Sequence, residues 1–176
     1  MKVLILALQV AVATVVVAQS QTAKISSSPV ADAARFWLER EAKNLSAAAE
    51  AMPTDKYDFH PTPQQMSFAH LMTHIAGSNR KVCSSIAGES QPKDNGVTDK
   101  DAKDKLLADV KASFDYCSSA LAKVDDAKLG EELPEFGHTR AYVMMLLVAG
   151  LADHYSLAAT YLRLNSILPP TAQPKK

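Results

Sequence analysis

Residues 99–124 read DKDAKDKLLADVKASFDYCSSALAKV, and their spacing decides the architecture. Leu107, Val110, Phe114, Cys117, Leu121 and Val124 follow one another in alternating steps of three and four. A helix turns through 3.6 residues, so such steps place all six on one stripe, the seam by which a helix joins a bundle. The charges from Asp99 to Lys105 fall on a solvated face.

Working outward, three more segments carry the same period. Upstream, Ser28-Pro29 opens a helix with an N-cap residue and proline in the first turn. Ala34, Trp37, Leu38, Leu45, Ala48, Ala49 and Met52 continue it until Pro53. Thr62-Pro63-Gln64-Gln65 reads as a capping box opening a second helix. Its stripe is Phe68, Leu71, Met72, Ile75, Val82, Cys83 and Ile86, and Gly88 ends it. Downstream, a fourth helix is expected from about His138 to Ser166, stopped by Pro169-Pro170. Its stretch Ala141 to Ala152 is apolar on every side, which predicts the most buried helix of the set. The connectors Glu89–Val97 and Asp125–Gly137 are loop text, and no strand pattern is expected. The fold class is therefore all-α, a four-helix bundle.

The connector between helices two and three bears on topology. Its ten or so residues reach ~34 Å at ~3.4 Å each, and a helix of about 24 residues is ~36 Å long. A crossover along the whole bundle is just within reach, so these helices can run parallel. Cys83 and Cys117 favour that arrangement, because each lies at a similar depth in its own helix. An antiparallel pair would hold them ~20 Å apart, beyond the ~7 Å a disulfide tolerates. Two readings stay open for them: a disulfide, or two buried thiols on core stripes.

The chain has 176 residues, one domain's worth, with 19 basic and 19 acidic side chains. Zero net charge excludes the basic footprint of a nucleic-acid binder and a polybasic membrane-surface segment. Hydrophobic residues at 47% are too many for a disordered chain. Met1-Lys2, the apolar run Val3–Ala18 and the polar Gln19-Ser20-Gln21 read as a secretory signal cleaved after Ala18, against the alternative of an uncleaved anchor. The organisation expected is a signal peptide at 1–18, a flexible lead at 19–28, the bundle at 29–170 and a tail at 171–176. The protein would be periplasmic or secreted, with no stable membrane insertion of the mature chain.

Five histidines carry most of the chemical interest. His60 sits in a connector, and His138 opens the fourth helix. His70 and His74 are one turn apart, but His70 falls opposite the apolar stripe and reads as a surface residue. His74 lies at the stripe's margin. His154 follows Asp153 within the most apolar helix, where it reads as a packed core imidazole or as a metal ligand or base. Gly150, one turn before it, leaves room for a close helix contact or a small cavity. No phosphate loop, His-Glu-x-x-His, Cys-x-x-Cys or nucleophile elbow is present.

An ordered set of short motifs goes further. It comprises Tyr57-Asp58-Phe59-His60-Pro61-Thr62-Pro63, Ser67-Phe68-Ala69-His70-Leu71-Met72-Thr73-His74-Ile75-Ala76 and Cys83-Ser84-Ser85-Ile86-Ala87-Gly88-Glu89. Ser113-Phe114-Asp115-Tyr116-Cys117, Asp153-His154-Tyr155, Tyr161-Leu162-Arg163-Leu164-Asn165 and Pro169-Pro170 follow. Together they resemble the DinB-like family. The resemblance implies a four-helix bundle with helices two and three parallel. It also implies a metal site built from one histidine on helix two and a His-x-x-x-His pair on helix four. His74 matches the first ligand and His154 the last, while Gly150 occupies the middle position. The implied cofactor is a divalent ion, zinc or nickel, or none, since two protein ligands are one short of an open catalytic zinc site. The implied activities are a metal-dependent transferase or hydrolase, against a noncatalytic small-ligand-binding module or a self-associating bundle. The implied partners are a small molecule and, the fold being compatible with dimers, a second copy.

Overall fold

A computed structural model describes residues 26–93 and 95–174. The signal segment 1–18, its cleavage point and most of the lead at 19–28 lie outside the described residues. Four helices form the body: α1 (Pro29–Ala51), α2 (Phe68–Ala87), α3 (Lys103–Leu121) and α4 (Arg140–Leu164). Single 3-10 turns occur at Thr54–Lys56, Asp126–Lys128 and Pro170–Ala172.

The first helix starts at Pro29 as its sequence predicts, but the cap comes from elsewhere. Ser28 makes no side-chain cap bond. The Asp126 carboxylate instead accepts from Val30 N at 3.0 Å and Ala31 N at 2.9 Å. A carboxylate there satisfies orphan amides and complements the helix dipole. It also fixes the start of α1 beside the turn that leads into α4. At the other end, Lys103 Nζ donates to Glu50 O and Met52 O, both at 2.8 Å, so α3 begins where α1 ends.

The second helix opens five residues later than the Thr62 box. Ser67 is the cap, its hydroxyl accepting from His70 N at 3.0 Å. Residues 57–68 fold into a fastened turn instead: Phe68 N donates to Phe59 O and Ala69 N to Tyr57 O. Met66 O accepts from the buried Tyr161 hydroxyl at 2.8 Å. Pro61 and Pro63 supply no amide hydrogens, and these tertiary bonds win over the local capping signal. The helix ends at Gly88, whose φ of 71° is the left-handed conformation that glycine adopts without a Cβ penalty.

Helices α2 and α3 form the closest pair. Asn79 bonds Ser113, Cys83 is joined to Cys117, and Glu89 pairs with Lys123. Partner numbers climb together, as they do when two helices run in the same direction. The intervening loop is tied down rather than simply spanned. Asp109, buried on α3, takes Arg80 from α2 and Asn95 from the loop. Thr98 N donates to Asp101 Oδ2 at 2.8 Å, and α3 starts only at Lys103 because this local turn occupies the preceding residues.

Three further expectations need correction. A two-residue antiparallel hairpin, β1 (Glu132–Leu133) with β2 (His138–Thr139), occupies the last loop, so the structure is not strand-free. Gly137, at φ 64°, makes its turn. In consequence α4 begins at Arg140, with Thr139 as cap, rather than at His138. Finally, the Ala141–Ala152 stretch is not buried all round: Tyr142, Met145 and Leu146 are each 44–50% exposed. Four helices leave one face of each to solvent, whatever its composition.

Leu38, Leu45, Phe68, Leu71, Met72, Ile75, Ile86, Leu106, Leu121, Met144 and Tyr161 fill the interior with almost no exposure. Truncating one such leucine to alanine typically costs ~2–5 kcal/mol. Arg140 is buried where α4 enters the core. Its guanidinium donates to Ile86 O and to Glu131 Oε2, and its Nε to Lys128 O. It thereby satisfies a carbonyl at the end of α2. After α4 the chain returns, and Tyr155 and Thr171 hydroxyls bond at 2.8 Å.

Candidate functional site

His74 and His154 come together although eighty positions separate them. Their ring centroids are 5.0 Å apart and the rings are nearly perpendicular, at 88°. His74 stands at the exposed margin of α2, and His154 is half-buried on α4. Burial foremost, with the neighbouring His74, holds the His154 imidazole below its ordinary range, while Asp153 pulls the other way.

Beside the pair lies a cleft of about 200 Å³. Ser78, Asn79 and Val82 line it from α2, and Leu146, Leu147, Gly150, Leu151 and His154 from α4. Gly150 forms part of its wall. A Cβ built there meets nothing within 4 Å, so the glycine does not serve a close helix contact. Asn79 is already committed, donating to Ser113 Oγ at 3.0 Å. The free polar groups of the cleft are thus the Ser78 hydroxyl and the His154 ring, set against apolar walls.

The other histidines are elsewhere engaged. His70 is exposed and its Nδ1 lies 3.2 Å from Asp99. His60 Nδ1 bonds Gln65 O at 2.8 Å, and His138 stacks on Tyr142 with centroids 3.9 Å apart. The residue that sequence reasoning singled out as a missing ligand is therefore a cavity-forming one. Of the two readings the sequence left open at Gly150, a close helix contact or a small cavity, the structure has the cavity; among its other lining residues Ser78, Asn79, Leu146, Leu147 and Leu151 were not singled out, although Ser78 lies one turn after His74 and Leu147 two turns before His154.

The Cys83–Cys117 disulfide stands behind the cleft, on the α2–α3 side, with Cα atoms 5.2 Å apart and both cysteines fully buried. It crosslinks the helix that carries His74 to α3.

These features can be set against known proteins. A model of the DinB superfamily matches residues 38–158. The chain belongs to the DinB superfamily. Among solved structures, a DinB-like protein from Bacillus subtilis superposes with a TM-score of 0.67 at 19% identity, over 81% of this chain and 99% of that one. A DinB-like protein from Bacillus cereus gives 0.60 at 16% identity, over 76% and 93%. Both are alike in fold. Curated proteins give no match.

Membership raises the question of a metal. Among the described residues, no group of three His, Cys, Asp or Glu side chains is placed to hold one. Two imidazoles converge, and the third position carries hydrogen in place of a donor. The residues present do not fit a resident catalytic ion, which takes three protein ligands and an open site.

Proposed function

We propose that this DinB-superfamily bundle is an exported, noncatalytic small-ligand-binding module. Its site is the α2–α4 cleft, and the observation carrying this reading is Gly150, which opens a wall where a ligand side chain would otherwise stand. Closed apolar cavities of ~150 Å³ accept benzene-sized molecules. A cleft of about 200 Å³ suits a compact, mainly apolar ligand. The neutral His154 ring and the Ser78 hydroxyl can each donate or accept one hydrogen bond, which favours a ligand with a single hydroxyl or carbonyl group. Val82, Leu147 and Leu151 supply apolar walls beside that bond. Export rests on the Met1–Ala18 text and agrees with a disulfide that a reducing cytosol would not maintain.

The competing reading is a metal-dependent transferase or hydrolase, and the approach of His74 to His154 favours it. One set of measurements separates the two. Protein purified without chelator is assayed for metal, then titrated with phenol while the His154 ring protons are followed by NMR. The binding module predicts far less than one metal per chain and saturable shifts that Gly150→Leu abolishes by filling the cleft. Near-stoichiometric metal, or no response to phenol, overturns it.

A further inference from the structure

The crossing from α2 to α3 bounds a second space, on a different stripe of α2 from the cleft, with a volume of about 270 Å³. Thr73, Gly77 and Arg80 face it from α2 at helical spacing, Asp109 from α3, and Gln91 and Pro92 from the loop. Its chemistry is polar where that of the cleft is apolar. Arg80 and Asp109 form an ion pair whose side chains are only 13% and 5% exposed. Asp109 is fully committed: Oδ1 accepts from Arg80 Nη2 and Asn95 Nδ2, and Oδ2 from Arg80 Nη1 at 3.5 Å. Asn95 is committed as well, its Oδ1 accepting from Val97 N at 3.2 Å. Arg80 is not. A guanidinium carries five N–H groups, and only one on each terminal nitrogen reaches Asp109. Its Nε–H and the second hydrogen of each terminal nitrogen meet no protein acceptor among the described residues.

We propose that this pocket is a binding site for a neutral polyol of monosaccharide size. Charge argues against an anion. Arg80 and Asp109 cancel, so a carboxylate or phosphate would give up its hydration for a site without net positive charge. The same pairing holds the guanidinium still. Its spare donors are therefore preorganised, and little freedom is lost when an oxygen meets them. Nε–H and the second Nη2 hydrogen lie side by side on one edge of the fork, the edge by which arginine takes two oxygens at once. Two adjacent hydroxyls of a polyol offer two such oxygens. Hydroxyls also donate, and the pocket can accept. Thr73 Oγ1 gives its own hydrogen to His70 O at 3.0 Å and keeps its lone pairs, and the exposed Gln91 amide both donates and accepts. Pro92 and Val97 supply apolar contact for the C–H face of a ring. Size points the same way. Pockets for drug-sized ligands run to ~300–1,000 Å³, and this one, at about 270 Å³, suits a single ring. Gly77 makes the room. A Cβ built there meets nothing within 4 Å, so no close approach requires the glycine, although glycine inside a helix is destabilising relative to alanine.

Titration of the purified full chain with glucose and with myo-inositol, each to about 100 mM so that millimolar dissociation constants are covered, tests this. NMR follows the Arg80 Nε–H and the backbone N–H of residue 77. The expected result is saturable movement of both signals with at least one of the two compounds. Gly77→Leu fills the pocket and should raise the dissociation constant at least about 10-fold at an unchanged melting temperature, because residue 77 is exposed and its Cβ meets nothing. Arg80→Lys keeps a cation for Asp109 but loses the fork, and should weaken binding as much. Gln91→Ala lies in an exposed loop and should weaken binding about 3-fold, which decides the matter if either helix variant fails to fold. The control Ser156→Leu, on the exposed side of α4, should bind as wild type does. No saturable response to either compound overturns the proposal. So does undiminished binding by folded Gly77→Leu or by Gln91→Ala. Acetate that moves the same signals at lower concentration than glucose and myo-inositol would show an anion site instead, and equally overturns it.

Discussion

Replacing Gly150 by histidine tests whether the cleft is a metal site lacking one donor or a cavity of a different kind. Gly150→His places an imidazole one turn before His154 on the same helix, in the cleft that His154 lines, and the His154 ring in turn meets His74. Steric cost is small at the point of attachment, because a Cβ there meets nothing within 4 Å. The ~1–3 kcal/mol that overpacking usually imposes therefore does not arise from the backbone approach. Removing a mid-helix glycine should return about 0.5 kcal/mol. Three nitrogens then converge, the ligand count of an open zinc site. Zinc supplied at a hundredfold excess over its dissociation constant stabilises the folded state by ~2.7 kcal/mol. For a domain of this length each kcal/mol moves the melting temperature by about 2–4 °C, so the variant should gain roughly 5–10 °C with zinc at pH 7.5. The wild type, with two imidazoles, should gain less than about 2 °C. Thermal melts with and without zinc, paired with calorimetric titration, read both quantities. A variant that melts several degrees below wild type without zinc, and gains neither affinity nor stability with it, would refute the geometry. It would mean that the α2–α4 spacing cannot bring three imidazoles onto one ion.

Three other consequences follow from particular contacts. The Cys83–Cys117 bond closes a loop with a sequence separation of 34, so Cys83→Ser with Cys117→Ser should cost about 3–4 kcal/mol by the chain-entropy relation and melt ~10 °C lower; an unchanged melt would remove the disulfide from the stability of the fold. Because the native His154 is held below the ordinary imidazole value of 6.5, the unfolded chain takes the proton first. Its contribution to stability is complete above pH ~6.5 and is lost as pH falls through the lower native value; melts between pH 5 and 8 should show this slope in wild type and a flatter one in His154→Gln. Arg140→Met strands the Ile86 and Lys128 carbonyls while Glu131, 54% exposed, is rehydrated, so urea titration should find a loss of about 2–3 kcal/mol rather than the larger cost of an orphaned buried charge.

The sequence made the helices legible where the period was long and the stop signals chemical. The α2 stripe ended at a glycine that the backbone needs in the left-handed region, and α1 started at its proline. The errors fall where tertiary bonds outbid local ones. Thr62 carries a good capping pattern, but Phe59 and Tyr57 carbonyls capture the amides of Phe68 and Ala69, and the helix waits for Ser67. Likewise the cap of α1 is Asp126, 98 residues from Ser28, and no local pattern can announce it. The short hairpin before α4 has two residues per strand, below any alternation that sequence can display.

The site was legible as a pair of positions and not as a shape. Matching His74 and His154 to a family pattern requires only order along the chain. That Gly150 bounds a cleft rather than a helix crossing depends on the distance between α2 and α4, which the neighbours set. On the α2 side, Asn79 is held to Ser113 and Cys83 is tied to Cys117, so this helix is drawn towards α3. On the α4 side, Arg140 and the Tyr161 hydroxyl anchor the two ends of the helix to Ile86 and Met66. With both ends fixed and α2 pulled to its other neighbour, the middle of α4 lacks a partner of matching bulk, and a residue without a side chain leaves the space open. The apolar composition of α4 thus has three destinations: the core through Val143, Met144 and Leu151, the cleft through Leu146 and Leu147, and the outward face through Tyr142, Met145 and Ala149. A periodicity argument sees only that the segment is hydrophobic all round, and the division among the three is a property of the packed bundle.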